Sequence, residues 1–216
     1  MAKAKKAKQK AKKAAKKALR IDTEATHRAT RADDPLPVRL AGRASELADQ
    51  PPLIALSAAT IAAGLLLRRP VVLRNGVRML ASHLLATGAK TVLKGAVDRT
   101  RPSRAVVEGH HAGKGRGTDD TSLNSFPSGH TAGAVAVAEA VAAGSPDAAL
   151  PVRAAAAGVA ALQPSQGKHY ISDVAVGAAI GWLAERAADF ALRAAARAWR
   201  DRGAADPLEE SAAHPS

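Results

Sequence analysis

The chain has 216 residues, of which 47% are apolar and 2% aromatic, a composition that suits one domain with a helical core better than a β-rich one. It contains no cysteine, so disulfides, thiolate metal sites and cysteine nucleophiles are excluded. The net charge of +13 suggests nucleic-acid binding only until it is located, because nine lysines and Arg20 within the first twenty residues supply most of it.

The basic N-terminal segment is made of lysine and alanine and has no face apolar enough to pack against a core. We predict that it touches anionic lipid headgroups, with nucleic-acid binding and a plain solubilising role as the two alternatives. No apolar run follows the lysines, so the segment is not typical of a secretory signal. Residues 21–50 are polar and interrupted by prolines. Residues 1–50 are therefore predicted to be a basic tail and linker, largely disordered or amphipathic.

Alanine-rich apolar segments follow in chain order. Residues 53–67 carry no charge, but these fifteen residues fall short of the roughly 20 that a bilayer-spanning helix needs. Residues 79–97 contain His83, Lys90 and Lys94, which a lipid-facing helix carries only for a functional reason. After a glycine-rich loop at 103–126, helices are predicted at 129–143, 149–162 and 172–199, and a disordered tail at 201–216.

These segments predict an all-α fold, a helical bundle of about five or six helices over residues 51–200. Hydropathy leaves a membrane bundle and a soluble alanine-rich bundle equally open, because alanine contributes little to membrane insertion. The choice between them depends on the motifs that the bundle carries.

Three clusters in this region contain residue types that handle a phosphate group. In chain order they are Lys94 with Arg101 and Pro102, then the run Pro127, Ser128, Gly129 and His130, and then His169 with Asp173. Transfer of a phosphoryl group spreads negative charge over its oxygens, so the catalyst mainly has to position and neutralise them. A lysine offers a compact charge for this purpose, and an arginine offers a planar fork.

The second and third clusters add groups that can move protons. A Pro-Ser-Gly turn at the start of a helix presents free N–H groups to an anion. His130 stands beside that turn, and the ordinary pKa of histidine suits proton transfer near neutral pH. His169 and Asp173 are four positions apart, so in a helix they share a face, and the carboxylate can hold one imidazole nitrogen.

The order and spacing of these clusters resemble the type 2 phosphatidic acid phosphatase family over residues 79–185. The first two family motifs are complete, and the second half of the third is present. The third motif departs from the family where Ser-Arg is expected, because those two positions hold Leu162 and Gln163.

The resemblance implies a multi-pass lipid phosphatase of the cell membrane, with its active site at one end of a transmembrane bundle. Its reaction is hydrolysis of a phosphate monoester or pyrophosphate on a polyprenyl or glycerolipid phosphate, through a phosphohistidine. His169 is then the nucleophile, Asp173 its partner, and His130 the group that protonates the leaving oxygen and later activates water. The phosphate-binding positions are Lys94, Arg101, Ser128, Gly129 and Gln163. The resemblance implies no metal and no other cofactor, and it names a lipid phosphate and the membrane as partners.

The uncharged Gln163 leaves three interpretations open. The chain is an active enzyme with an altered phosphate site, an enzyme tuned to a substrate such as a pyrophosphate, or a catalytically impaired membrane protein. In the last case it binds lipid phosphate and recruits acidic partners through its lysine-rich tail. Lys168 is a candidate to replace the missing charge.

Two other groups of residues receive more ordinary interpretations. Lys90 is predicted to extend its charged end away from an apolar helix. A metal site in the glycine-rich loop is weighed against a plain loop that lines the entrance to the active site, and its candidate ligands are His110, His111, Asp119 and Asp120.

Overall fold

The computed structural model describes residues 2–30, 45–117 and 120–204. The α-helices in this part of the chain are α1 (Ala2–Ala29), α2 (Gln50–Leu66), α3 (Pro70–Ala96), α4 (Pro102–Glu108), α5 (Gly129–Gly144), α6 (Ala149–Ser165) and α7 (Ile171–Ala204). One antiparallel pair joins β1 (Val97–Arg99) to β2 (Ala112–Lys114), with Asp98 opposite Gly113. Single 3-10 turns lie at Ser45–Ala48, Thr121–Leu123 and Pro146–Ala148. The predicted helical class is confirmed, whereas the small hairpin was not predicted.

The centre of the bundle is formed by α3, α5 and α7, and its core is built largely from alanine. Ala86, Ala132, Ala136, Ile180 and Ala184 form one buried cluster. These small side chains let the helix backbones approach closely. At Gly181 the approach is closest, because a β-carbon there would lie 2.4 Å from the carbonyl oxygen of Ala132. Close packing of α7 on α5 brings the starts of these two helices together.

Helices α2 and α3 form a hairpin in which a glycine of α2 lets the two backbones approach closely. A β-carbon at Gly64 would lie 2.4 Å from the backbone nitrogen of Leu73.

Helix α3 begins at Pro70, nine positions before the predicted start at 79. The predicted segment begins just after Arg78, but this arginine lies within α3, is mostly buried and pairs with Glu185 and Asp189 of α7. Because the ion pairs compensate its charge, Arg78 can be buried against α7.

Within the described residues, none of the helices combines the length and the apolar character needed to cross a membrane. The multi-pass arrangement stays a prediction.

The segment predicted as a basic tail and linker, largely disordered or amphipathic, contains one long helix, α1, whose second half contacts the bundle. Residues 21–29 continue the helix and lie against the start of α7. The Asp22 carboxylate accepts hydrogen bonds from the backbone N–H of Ser172 at 3.0 Å and from its hydroxyl at 2.5 Å. The buried Thr26 hydroxyl accepts from the N–H of Ile171 at 3.2 Å. These contacts satisfy N–H groups that the first turn of α7 leaves free. The predicted linker at 31–44 and the tail from 205 onward lie outside the described residues.

Candidate active site

The turn before α5 forms one wall of the site. Ser128 is the N-cap of this helix, and its hydroxyl oxygen lies 3.0 Å from the hydroxyl of Thr131. The backbone N–H of Ser128 donates to the carbonyl of Asp173 at 3.1 Å, which ties the start of α5 to the first turn of α7. Gly129 and His130 then occupy the first turn of α5, where backbone N–H groups have no partner within the helix. The predicted helix start is therefore present, and its use as an anion cradle stays a prediction.

His169 lies in the loop just before α7 and is only 3% exposed. Its Nδ1 is 2.6 Å from the backbone carbonyl oxygen of Ser125. A carbonyl can only accept, so Nδ1 carries the hydrogen and Nε2 keeps its lone pair. Burial, together with the charges of Lys94 and Arg101, lowers the pKa of His169 to about 3. The ring is therefore neutral near neutral pH, with a free nitrogen in a site of positive charge.

Asp173 does not hold His169 in the way that the sequence predicted. Its Oδ2 lies 3.9 Å from Nδ1, too far for a hydrogen bond. Helix α7 begins only at Ile171, so His169 precedes it and does not share a helical face with Asp173. The carboxylate instead accepts from the Ser125 hydroxyl at 2.5 Å and from the Tyr170 N–H at 2.9 Å. Asp173 thus holds the segment whose carbonyl orients the histidine.

Arg99 completes this arrangement, and sequence reasoning missed it. The side chain is 7% exposed and donates to Asp173 at 2.5 Å and to Asp22 at 2.7 Å. Its guanidinium also lies over the ring of Tyr170, 3.9 Å from the centroid. In the sequence it is one of three arginines between positions 99 and 104. No local signal distinguished it, because its acidic partners lie 74 and 77 positions away.

The predicted cations Lys94 and Arg101 face the same region. The ammonium of Lys94 donates to the backbone carbonyl of Asn124 at 2.9 Å. Burial, followed by the charges of Arg101 and Lys90, lowers the pKa of Lys94 to about 8. Arg101 is the N-cap residue of α4, and within the described part of the chain its buried Nε has no hydrogen-bond partner. Burial lowers the pKa of Arg101 as well.

His130 is positioned close to His169 but is held by a different carboxylate. Its Nε2 lies 3.1 Å from Oδ1 of Asp49, which suits an ion pair, although the alignment falls short of a hydrogen bond. Burial lowers the pKa of His130, and the Asp49 charge opposes that effect. The charge of His130 in turn lowers the pKa of His169, so the two imidazoles lie within electrostatic range of each other. Asp49 was not among the predicted site residues.

Gln163 is the predicted phosphate ligand that the structure does not turn toward the others. It is fully buried, and its amide nitrogen donates to the Val159 carbonyl of its own helix at 3.1 Å. Its backbone carbonyl accepts from the N–H groups of Lys168 and His169, at 3.1 and 3.3 Å. Gln163 therefore supports the loop that carries His169 through its main chain.

The glycine-rich loop contributes packing near the site. The ring of His110 contacts Tyr170 edge-on, with centroids 5.3 Å apart. Among the described residues, no group of three or more potential ligands is arranged to hold a metal ion, and Asp119 lies outside them.

Comparison with known proteins relates this geometry to one family. The sequence model of the PAP2 superfamily matches residues 75–189. LpxE from Aquifex aeolicus has a similar fold, with a TM-score of 0.58 and 21% identity over 76% of this chain and 92% of LpxE. The first transmembrane PAP2 type phosphatidylglycerolphosphate phosphatase from Bacillus subtilis has a TM-score of 0.61 and 21% identity, over 80% of this chain and 84% of its own. No curated protein sequence matches the chain significantly.

Proposed function

We propose that this chain, which belongs to the PAP2 superfamily, hydrolyses a phosphate monoester or pyrophosphate on a lipid through a phosphohistidine at His169. The observation that carries the proposal is the hydrogen bond from Nδ1 to the Ser125 carbonyl, which leaves Nε2 unprotonated. A buried, neutral imidazole beside Lys94 and Arg101 has the properties of a nucleophile directed at an anionic phosphorus centre.

The proposed reaction has two steps. In the first, Nε2 of His169 attacks phosphorus and the bond to the lipid oxygen breaks, while protonated His130 gives its proton to that oxygen. In the second, His130 takes a proton from water, and the resulting hydroxide displaces the phosphoryl group from Nε2 as inorganic phosphate. Lys94, Arg101 and the N–H groups at the start of α5 neutralise the phosphoryl oxygens in both steps.

A lipid as the carrier of the phosphate is supported by the outer surface of the bundle. Large apolar side chains of α2 and α3 are exposed, among them Leu65, Leu66, Val71 and Val92. An apolar surface of this kind is typical of contact with a membrane or another protein. One of the similar structures is described as a phosphatidylglycerolphosphate phosphatase. We infer a polyprenyl or glycerolipid phosphate as the substrate class and a membrane as the place of action.

The lysine-rich half of α1 is the proposed contact with anionic headgroups. The six lysines of this segment whose side chains are described are all exposed, namely Lys5, Lys6, Lys10, Lys13, Lys16 and Lys17. Cations of this kind near an anionic lipid surface contribute about 1 kcal/mol each to membrane attachment.

The test is phosphate release by detergent-purified protein from a panel of polyprenyl and glycerolipid phosphates, with vanadate as inhibitor. The parent protein is expected to release phosphate from at least one lipid, and His169→Ala to lose at least ~1,000-fold in kcat. A His169→Ala variant as fast as the parent would show that another group attacks phosphorus.

The burial of Gln163 favours one alternative function, in which the chain binds lipid phosphate without turning it over and recruits acidic partners through its lysines. Deleting residues 2–17 separates the two, because Asp22 and Thr26 remain to cap α7. The enzyme keeps its kcat in micelles after this deletion, whereas a recruiting protein loses its partners.

A further inference from the structure

Lys90 occupies a different place from the one the sequence indicated. It lies one turn before Lys94 on α3, so the two ammonium groups emerge from the same face of the helix. A β-carbon built at Gly129 would lie 3.0 Å from the Nζ of Lys90. The charged end of Lys90 therefore rests over the first turn of α5, at the predicted phosphate cradle, and does not extend away from the bundle.

The charge of Lys90 acts on the residues of the site. It lowers the pKa values of Lys94 and His130, which face the cradle from α3 and α5. Asp49 is the carboxylate whose charge acts on Lys90, and Asp49 itself contacts His130. Within the described part of the chain, the Lys90 ammonium makes no hydrogen bond and no ion pair shorter than 4.0 Å.

A cation held in this position has lost part of its hydration without gaining a partner. Burial lowers the pKa of Lys90, which shows that its surroundings disfavour the charged form. A bound anion at the start of α5 would supply the missing partner. The cradle's free N–H groups and the ammonium would then contact the same group.

We propose that Lys90 is a phosphate ligand of this active site and supplies the positive charge that Gln163 lacks. The inference rests on the proposed function for the identity of the anion. It also gives Gly129 a specific role, because any side chain at that position would push the ammonium away from the cradle. The site then holds its phosphate between two lysines of α3, Arg101 and the N-terminus of α5.

The decisive experiment compares Lys90→Met with the parent protein, because methionine keeps an apolar side chain of similar length and removes the charge. Affinity for inorganic phosphate is measured by calorimetry, and kcat and KM are measured with the best lipid phosphate of the panel. We expect Lys90→Met to weaken phosphate binding at least ~10-fold and to raise KM, with the melting temperature unchanged. Lys90→Arg should keep most of the affinity, which a purely structural role would not explain.

Lys114→Met is the matched control, because Lys114 is an exposed lysine of β2 and its removal changes the net charge equally. It should bind phosphate as the parent does. A Lys90→Met protein that binds phosphate as tightly as the parent overturns the inference even when the parent hydrolyses lipid phosphates. A parent that binds phosphate through Lys90 but hydrolyses none of the lipids refutes the proposed function and leaves the inference standing. A parent that binds no phosphate refutes the inference.

Discussion

The Nδ1 atom of His169 lies 2.6 Å from the backbone carbonyl oxygen of Ser125, and this contact determines which ring nitrogen is free. The same Ser125 donates its hydroxyl to Asp173, which pairs with Arg99. The orientation of the candidate nucleophile therefore depends on a chain of contacts that begins at β1 and passes through the first turn of α7.

Replacing Arg99 with methionine should destabilise the protein strongly. Asp173 is fully buried and Asp22 mostly buried, so removal of their common partner leaves two carboxylates without a counter-charge. Breaking a buried ion pair in this way costs about 3 kcal/mol or more. Chemical denaturation monitored by circular dichroism measures the loss. Arg104→Met is the control, because Arg104 forms only an exposed pair with Glu108 and should change stability by less than ~1 kcal/mol.

His169 should make the fold sensitive to acid. Its pKa is about 3 in the folded chain against about 6.5 when unfolded, so below pH 6.5 the unfolded state takes up the proton first. The free energy of unfolding should therefore decrease as pH falls from about 6.5 to 3, with a limiting slope of ~1.4 kcal/mol per pH unit. His169→Gln lacks this proton and should show a shallower decline in the same window. Parallel decline of the two proteins would mean that other groups set the acid sensitivity.

Phosphate affinity should fall as Lys94 loses its proton. The pKa of Lys94 is about 8, so its charge is mostly present at pH 7 and is lost as pH rises through that value. A short-chain phosphate monoester is a dianion throughout this range, because its second pKa is about 6. Its dissociation constant, measured with the inactive His169→Ala variant, should rise above pH 8. In a Lys94→Arg background the rise should become smaller, since arginine stays protonated.

Close packing of α7 on α5 predicts that Gly181 tolerates no side chain. A β-carbon there would lie 2.4 Å from the Ala132 carbonyl and 2.9 Å from the Ala136 nitrogen, both of which belong to a helix backbone. Gly181→Ala should lower the free energy of unfolding by about 2 kcal/mol. Gly158 of α6 is the matched control, because nothing lies within 4 Å of a β-carbon at that position. Gly158→Ala should stabilise the protein by about 0.5–1 kcal/mol, as alanine replaces glycine in an exposed helix.

Sequence patterns located most of the helices. They failed where a polar or charged side chain has its partner on a helix far away in the sequence. The predicted start of α3 is too late because Arg78 interrupts the apolar pattern, and its partner Glu185 lies 107 positions away. Residues 21–29 lie in the segment predicted as disordered or amphipathic, and no local pattern indicated that Asp22 and Thr26 cap α7. In both cases the relevant partner belongs to another helix, which no local pattern contains.

The same contrast between local patterns and distant partners holds for the residues of the candidate site. Motif spacing named His169, Asp173 and His130, and it gave no indication of Arg99, Asp49 or the position of Lys90. It also predicted a direct contact between His169 and Asp173, which the start of α7 at Ile171 prevents.

The sequence by itself determined the helical class, the position of the turn before α5 and the family to which the chain belongs, because these depend on residue types at short, regular separations. Tertiary structure decided which nitrogen of His169 carries the hydrogen, which arginine holds Asp173 and where the charge of Lys90 lies. Those outcomes depend on contacts between helices far apart in the chain, and the free energy of such contacts is set by burial and distance rather than by neighbouring residues.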